Sequence, residues 1–316
     1  MSILLSIGFQ VFQSTLLIAL APLLMGWMGQ NRAWLSNKKG PGILRPYRTI
    51  HKLFLKEPVF AKNASFLFRF VPYSYFAAMF LITMIIPVFW SHLIFSAIAD
   101  VIVLIGLFAL ARILLALAAM DIGTAFGSMG ARREMLVSFL AEPAFLMVFF
   151  NIALMNQSTS LTQIVTTMLS HSFLLNPSMI FAAITFLMVL LAENARIPVD
   201  NPTTHLELTM IHEAMILEYS GRHLALIEWS NQLKLLNYFA IAIALFFPWG
   251  ITNTLQMTTL SSSILIFVFK LIILGSGLSL FEVLTAKVRL FRAPEFLTSA
   301  FILAVLGVLI QLLVLR

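Results

Sequence analysis

Cysteine is absent from this chain of 316 residues. Without a thiolate, the chain forms no disulfide, ligates no iron–sulfur cluster through sulfur and attaches no haem covalently. Its six histidines fall in loops or at the ends of apolar segments, where they do not pair as axial haem ligands inside a helix bundle. We therefore expect this chain to bind no redox cofactor, and any such cofactor to belong to a partner protein.

Charge is also scarce. Asp, Glu, Lys and Arg make up 10% of the residues, whereas 60% are hydrophobic and the mean hydropathy is +0.98. Soluble domains carry about 25% charged residues, so this composition predicts an integral membrane protein. The net charge of +7 does not indicate nucleic-acid binding, because the basic residues lie beside apolar segments, where they set the orientation in a membrane.

A basic region is missing before the first apolar segment, MSILLSIGFQVFQ. This start is not typical of a cleaved secretory signal, and we interpret it as the first span. Several apolar runs reach about 20 residues, the length of helix that crosses about 30 Å of hydrocarbon. We predict an all-α protein with one polytopic domain, residues 1–316, and eight transmembrane helices at about 3–27, 70–90, 96–119, 135–155, 177–194, 235–254, 262–284 and 296–315.

Lys and Arg occupy alternate loops between these spans. They are missing from the loops near 91–95, 156–176 and 255–261, and they occur in the loops at about 28–69, 120–134, 195–234 and 285–295. By the positive-inside rule, the four basic loops are cytoplasmic and both termini are outside.

The first basic loop contains an amphipathic segment, RPYRTIHKLFLKE. At helical spacing one face is apolar and carries Tyr47, Ile50, Leu53 and Phe54. The other face is basic and carries Arg48, His51, Lys52 and Lys56. The pattern predicts a cytoplasmic amphipathic helix that lies along the membrane. The alternative is a solvated basic linker that only enforces topology.

Five ionisable residues fall inside or at the edge of apolar runs: Arg112, Glu142, Glu193, Lys270 and Glu282. Each costs about 2.5 to 3.5 kcal/mol near the centre of a bilayer, so we expect them to face a hydrated or protein-lined interior. Two interpretations remain open: a pathway for ions, or salt bridges that only hold helices together. For Glu193, a local ion pair with Arg196, three residues later, is the simpler expectation.

The stretch from Glu193 to His223 holds five of the thirteen carboxylates and three of the six histidines. The sequence HEAMI lacks the second histidine of the zinc protease pattern HExxH, and no serine lies in an elbow motif. We therefore predict no metal site and no hydrolytic site. Acids alternate here with apolar residues, which is typical of a loop that folds against protein.

The pattern ENARIPVDNP…EYSG in this stretch resembles the large cytoplasmic loop of the membrane subunit, of the subunit 1 type, that contacts the hydrophilic redox arm in respiratory complex I. The same family supplies a membrane subunit to formate hydrogenlyase and hydrogenase-4. Three further stretches match the family in the same order along the chain: NKKGPGILRPYRTIHKLFLKEP, FGSMGARREMLVSFLAEP, and AKVRLFR after Lys270. The resemblance covers nearly the whole chain and implies an eight-span fold.

Two details favour the hydrogenase branch: GARRE before AEP, and Glu282 where the quinone-reducing branch typically has arginine. Between RIPVD and EYSG, the segment NPTTHLE replaces a more acidic run. The resemblance implies a subunit without its own redox centre, in a bacterial or archaeal cell membrane. Its implied partners are soluble hydrogenase-like or complex I-like redox subunits with iron–sulfur clusters and a nickel–iron or quinone centre, antiporter-like membrane subunits, and lipid.

The resemblance also implies roles for individual residues. Glu142, Glu193, Glu207 and Glu218 would belong to an acidic path from the redox module into the membrane, together with the in-span charges Arg112, Lys270 and Glu282. Arg196, Asp200 and Arg222 would shape the loop that docks the module. Two other readings stay open: the quinone-site subunit of an NADH:quinone oxidoreductase, and a free-standing ion transporter.

Overall fold

The computed structural model describes residues 3–61, 64–90, 99–170, 176–196, 211–252, 257–285 and 293–314. Within these ranges the chain forms eleven helices: α1 (Ile3–Leu35), α2 (Arg45–Phe54), α3 (Phe66–Ile85), α4 (Val101–Asp121), α5 (Ala125–Asn156), α6 (Leu161–Ser170), α7 (Pro177–Glu193), α8 (His212–Ile216), α9 (Gly221–Phe246), α10 (Met257–Leu284) and α11 (Ala293–Val314).

Six of the described helices are long and apolar enough to cross a membrane: α1, α3, α4, α5, α10 and α11. Helix α7 is apolar but has only 17 residues. Helix α9 has 26 residues, and its first fourteen residues include Arg222, Glu228 and Lys234. The described part of the chain is therefore that of a helical, multi-pass membrane protein.

Helix α9 lies at the centre of the bundle. Every residue from Gln232 to Leu245 is buried, as expected of a helix that is surrounded on all sides. It packs against α1, α2, α3 and α7. Any polar group on this helix must therefore find its partner within the protein.

Polar side chains join α3 to α9 across the core. Asn237 donates from Nδ2 to the carbonyl of Met79 at 3.0 Å, and its Oδ1 accepts from the Thr83 hydroxyl at 2.9 Å. One end of this interface is closed by Tyr75, whose hydroxyl donates to Asn231 Oδ1 at 2.8 Å. Hydrogen bonds of this kind fix how two membrane helices pack.

The helices continue past the predicted spans at the end of the bundle where α2 lies, called here the basic end. Helix α1 runs eight residues beyond position 27, α5 begins ten residues before 135 and α9 begins fourteen residues before 235. The predicted loops 28–69, 120–134 and 195–234 therefore contain helical segments that continue the neighbouring helices. Hydropathy marks only the segment inside the hydrocarbon, whereas Arg, Lys, Glu and Gln are good helix formers that prolong the helix beyond it.

The opposite end of the bundle also departs from prediction. The uncharged connection 156–176 contains a helix, α6, and α9 stops at Phe246, eight residues before the predicted end at 254. Pro248 explains this stop, because the residue before a proline is disfavoured in helical conformation; Phe247 has φ −136° and ψ 57°.

Helix α2 forms within the amphipathic segment. Its Tyr47 hydroxyl donates to the carbonyl of Ala19 on α1, Ile50 is buried, and the Phe54 ring meets Trp229 of α9 edge-on with centroids 6.2 Å apart. Part of the apolar face therefore packs against α1 and α9. Its position along a membrane surface stays a prediction.

Candidate functional site

A buried arginine joins two carboxylates in the core. Arg112 lies in the second half of α4 and is 5% exposed. Its Nη1 donates to Glu193 Oε1, and its Nη2 donates to Glu142 Oε1 at 2.6 Å. The Glu193 side chain is 2% exposed, whereas that of Glu142 is 33% exposed. Only Glu142 therefore has direct access to the surroundings.

A second buried cation, Lys234 of α9, reaches the same carboxylate. Its Nζ lies 3.3 Å from Glu193 Oε2 and donates to the backbone carbonyl of Glu193 at 2.6 Å. That carbonyl ends α7 and has no partner within its helix, so the lysine also caps the helix. Glu193 thus lies between two cations from different helices, and the two cations balance the two carboxylates of the cluster, as a buried ionic site requires. We call Arg112, Glu142, Glu193 and Lys234 the ionic cluster.

The end of α7 separates Glu193 from Arg196. Ala195 has φ +48°, a left-handed conformation, and the Arg196 amide donates back to the Leu191 carbonyl at 2.9 Å. This is the Schellman arrangement that ends helices. Because the helix does not continue, the expected Glu193–Arg196 ion pair does not form, and that prediction is wrong.

Arg196 instead belongs to a second buried cluster. Its Nη1 donates to Glu282 Oε1 of α10 at 3.1 Å, and Glu282 Oε2 lies 3.2 Å from Arg32 Nη1 of α1. Glu282 is 5% exposed and Arg196 is also 5% exposed. Arg196 therefore faces the inside of the bundle, and it ties the end of α7 to α1 and α10.

Sequence reasoning missed Glu134. It is 3% exposed, and its Oε2 lies 3.4 Å from His212 Nδ1 on the short helix α8. Glu134 and Glu142 share α5, about 12 Å apart along its axis. The residue was assigned to a loop because α5 begins earlier than hydropathy indicated; the motif GARRE marks it in the sequence, but not its burial.

Lys234 was missed for the same reason. The sequence places it beside the apolar run LLNYFAIAIALF, where a lysine normally marks the membrane boundary. Here it is 2% exposed, because α9 lies at the centre of the bundle.

Lys270 lies apart from the ionic cluster. Its Nζ donates to the Phe247 carbonyl at 2.6 Å and to the Trp249 carbonyl, and it lies 5.3 Å from the centroid of the Trp249 ring. These carbonyls follow the end of α9, where a cation is favourable. The structure thus shows a helix-capping contact for Lys270, and its role in an ion path stays a prediction.

The remaining predicted residues lie near the basic end or outside the described ranges. Glu218 and Arg222 are exposed. Between them, Tyr219 stacks on Phe68 at 3.9 Å and donates to the Phe68 carbonyl at 3.0 Å; its burial raises the pKa of the phenol, and the charge of Asp121 adds to this. Asp200 and Glu207 lie outside the described residues. In the ranges described, no group of three His, Asp or Glu side chains is placed to hold a metal ion.

Comparisons with known proteins cover nearly the whole chain. A family model described as NADH dehydrogenase matches residues 7–313. The chain is 31% identical over 299 residues to hydrogenase-4 component C of Escherichia coli K12, covering 95% of this chain and 94% of that protein. It is 30% identical over 296 residues to formate hydrogenlyase subunit 4 of the same organism, covering 94% and 95%.

The fold has a close counterpart among solved structures. A chain of the membrane-bound sulfane sulfur reductase, an archaeal respiratory membrane complex, superposes with a TM-score of 0.84 at 19% identity, over 96% of this chain and 99% of that one. The sequence-based assignment, including the hydrogenase branch, is confirmed by these matches. The chain belongs to the NADH dehydrogenase family, of the complex I subunit 1 type.

Proposed function

We propose that this chain is a membrane subunit, without catalytic residues of its own, of a multi-subunit redox complex of the energy-converting hydrogenase type. It anchors a soluble redox module and couples electron transfer there to ion translocation in the membrane. The observation that carries the proposal is the ionic cluster, in which Arg112 joins the buried Glu193 to the partly exposed Glu142. The similarity of the chain to component C of hydrogenase-4 and to subunit 4 of formate hydrogenlyase supports the proposal.

The geometry suggests how the coupling works. Glu193 ends α7 and is followed by the chain segment that leads towards α8, whereas Glu142 lies within α5. A displacement at the end of α7 changes how Arg112 divides its interaction between the two carboxylates. This displacement therefore changes how tightly Glu142 is paired with Arg112. A displacement at the basic end thereby becomes a change in ion pairing inside the bundle.

The finer topology belongs to the same proposal. Eight helices, α1, α3, α4, α5, α7, α9, α10 and α11, correspond to the eight predicted spans, and α2 lies at the basic end between the first two. In this arrangement the basic end faces the cytoplasm, where the soluble redox subunits dock. Those subunits carry the iron–sulfur clusters and the nickel–iron centre, and antiporter-like membrane subunits move the ions.

Glu142→Gln in the native complex tests the coupling function. We expect the complex to assemble and to transfer electrons, while the number of ions translocated per electron falls severalfold, because glutamine keeps the shape but cannot exchange a proton. Glu295→Gln is the matched control, since Glu295 is exposed at the start of α11. Unchanged coupling in Glu142→Gln would contradict the proposal.

Purification through a tag on this chain tests the anchoring function. We expect hydrogenase-like large and small subunits to co-purify. If the chain co-purifies with NADH-oxidising subunits, it belongs to a quinone-reducing complex instead. If it is recovered without any partner subunit, a free-standing transporter is favoured. Hydrogen exchange of residues 193–223 adds a direct measure of docking, because a bound module slows exchange in the segment that it covers. Equal protection with and without the module would contradict docking there.

A further inference from the structure

An apolar groove lies between α1 and α10. It has a volume of about 190 Å³ and is lined by Leu20, Leu23 and Trp27 of α1, by Val268 and Ile272 of α10, and by Ile43. The lining from Leu20 to Trp27 extends about 10 Å along α1, so the groove is elongated. Ile43 and Ile272 are 37% and 40% exposed, which leaves the groove open on its outer side.

Close contacts between α1 and α10 border the groove at Leu24 and Trp27. At Gly275 an added Cβ would lie 3.1 Å from Leu24 Cδ1, and the next residue, Ser276, accepts hydrogen bonds from Trp27 Nε1 at 3.1 Å and Asn31 Nδ2 at 3.0 Å. Beyond this contact, branched apolar side chains face each other across the space between the helices. The groove is therefore a feature of the bundle surface, and the contact of Gly275 and Ser276 with α1 forms one of its boundaries.

The chain after α1 closes the groove at the basic end. It passes so close to α1 that a Cβ on Gly26 would lie 1.8 Å from the Ile43 carbonyl oxygen. The Gly42 amide also donates to Gln30 Oε1 at 3.1 Å. These two contacts hold Ile43 in place at the end of the groove.

Two exposed cations follow Ile43 in the chain. Arg45 comes two residues after Ile43, and Arg48 lies three residues further, on the same face of α2; both are exposed. No carboxylate in the described part of the chain lies within 4.0 Å of either guanidinium. Residues 36–57 contain six Lys or Arg and one acid, Glu57. The groove is thus bordered by a segment whose exposed arginines have no carboxylate partner among the described residues.

We propose that this groove is a binding site for an anionic phospholipid, with one acyl chain along α1 and α10 and the headgroup phosphate on Arg45 and Arg48. The apolar lining matches a hydrocarbon chain, and guanidinium groups bind phosphate oxygens in pairs. Exposed cations beside an apolar groove match the polarity of a lipid, which has its charge at one end of a long apolar body. The inference rests on this groove alone and is independent of the proposed coupling function.

Photolabelling of the full-length chain tests the site. The chain is reconstituted in phosphatidylcholine nanodiscs. A trace of a photoreactive probe is added, either phosphatidylglycerol or phosphatidylcholine with the same photoreactive acyl chain. The labelled peptides are then mapped. We expect phosphatidylglycerol to label the peptides around 20–27 and 268–272 more strongly than phosphatidylcholine does. One cation near an anionic lipid contributes about fivefold in binding, so the double variant Arg45→Gln, Arg48→Gln should lose most of this preference.

Matched variants separate the groove from general attraction to the membrane. Arg69→Gln with Arg132→Gln removes two exposed cations outside residues 36–57, and we expect it to keep the preference. Val268→Trp fills the groove and should abolish labelling by both lipids, whereas Leu309→Trp, at an exposed position on α11, should not. Helix content and elution as a single species confirm that each variant folds.

Three results would overturn the proposal. Equal labelling by the two lipids would show that the headgroup is not recognised, and labelling that survives Val268→Trp would place the acyl chain elsewhere. Displacement of both probes by an isoprenoid quinone, at concentrations where phosphatidylglycerol displaces neither, would assign the groove to a quinone tail.

Discussion

At the scale of single residues, the two carboxylates on Arg112 differ in burial, and this predicts different costs of removal. Glu193→Gln leaves two buried cations with Glu142 as their remaining carboxylate, and we expect a loss of about 3 kcal/mol or more, as for other broken buried pairs. Glu142→Gln leaves Arg112 with Glu193, and one third of the Glu142 side chain is exposed, so we expect about 1 kcal/mol. Unfolding of both variants in one detergent provides the comparison, and equal losses would contradict it.

The pairing of Glu193 with Lys234 predicts a rescue. Lys234→Met removes the cation that Glu193→Gln leaves without its partner, so the double variant should be more stable than the sum of the single changes, by about 1 kcal/mol or more. Lys270→Met is the control, because Lys270 contacts backbone carbonyls after α9 and not Glu193. Additive losses in the Glu193–Lys234 cycle would mean that the two charges do not stabilise each other.

Sequence reasoning identified Arg112, Glu142, Glu193 and Glu282 because a charge within an apolar run is costly and needs an explanation. It could not pair them correctly, because the partners of Arg112 are 30 and 81 residues distant along the chain. Local spacing favoured the wrong partner for Glu193. The left-handed Ala195 turns Arg196 away, and neither composition nor periodicity indicates such a residue.

At the scale of helices, the start of α9 depends on a glycine. Gly221 has φ +53°, and a Cβ there would lie 2.6 Å from the Lys56 carbonyl oxygen and 2.7 Å from that of Glu57. Both the backbone strain and the collision with main chain oppose a side chain. We expect Gly221→Ala to destabilise the protein by about 2 kcal/mol or more.

Gly106→Ala provides the control for this change. Gly106 lies within α4 with nothing within 4 Å of an added Cβ, so alanine should be neutral or stabilising by about 0.5 to 1 kcal/mol. Thermal unfolding of the two variants checks the difference. A tolerated Gly221→Ala would show that the segment before α3 does not pack against the start of α9.

Helix positions were predicted better than helix ends. An apolar run longer than the hydrocarbon thickness indicates a span, and each predicted span overlaps a helix. At the basic side the helices extend beyond the predicted spans, because a helix is held by its own backbone hydrogen bonds and needs no lipid around it. Helix α6 was missed because Ser and Thr in its sequence are poor indicators of helix.

At the scale of the whole molecule, the distribution of Lys and Arg predicts the orientation. A reporter fused after Arg316 should lie outside, and one inserted near Lys38 should lie in the cytoplasm, because basic loops stay on the cytoplasmic side. Activity of a paired set of reporters, one active on each side of the membrane, gives the result. The same side for both positions would exclude an arrangement of eight spans with both termini outside.

The overall class was predictable because it depends on summed properties: hydropathy, loop charge and an ordered set of motifs. The central position of α9 was not, since its first half carries charges that are typical of an exposed segment. Burial there depends on which helices surround it, and a single sequence does not contain that information in any local pattern.

The unbroken course of α9 has a mechanical consequence. From Gly221 to Phe246 the helix is about 39 Å long, longer than the roughly 30 Å thickness of the hydrocarbon core, and Lys234 lies about 20 Å from its start. A helix of this length is stiff along its axis, so a push or a twist applied at Gly221 is carried along the rod instead of being absorbed by a loop. Because close packing surrounds the rod from Gln232 onwards, its easiest movements are small rotation and sliding, and both move the ammonium group of Lys234 relative to the end of α7.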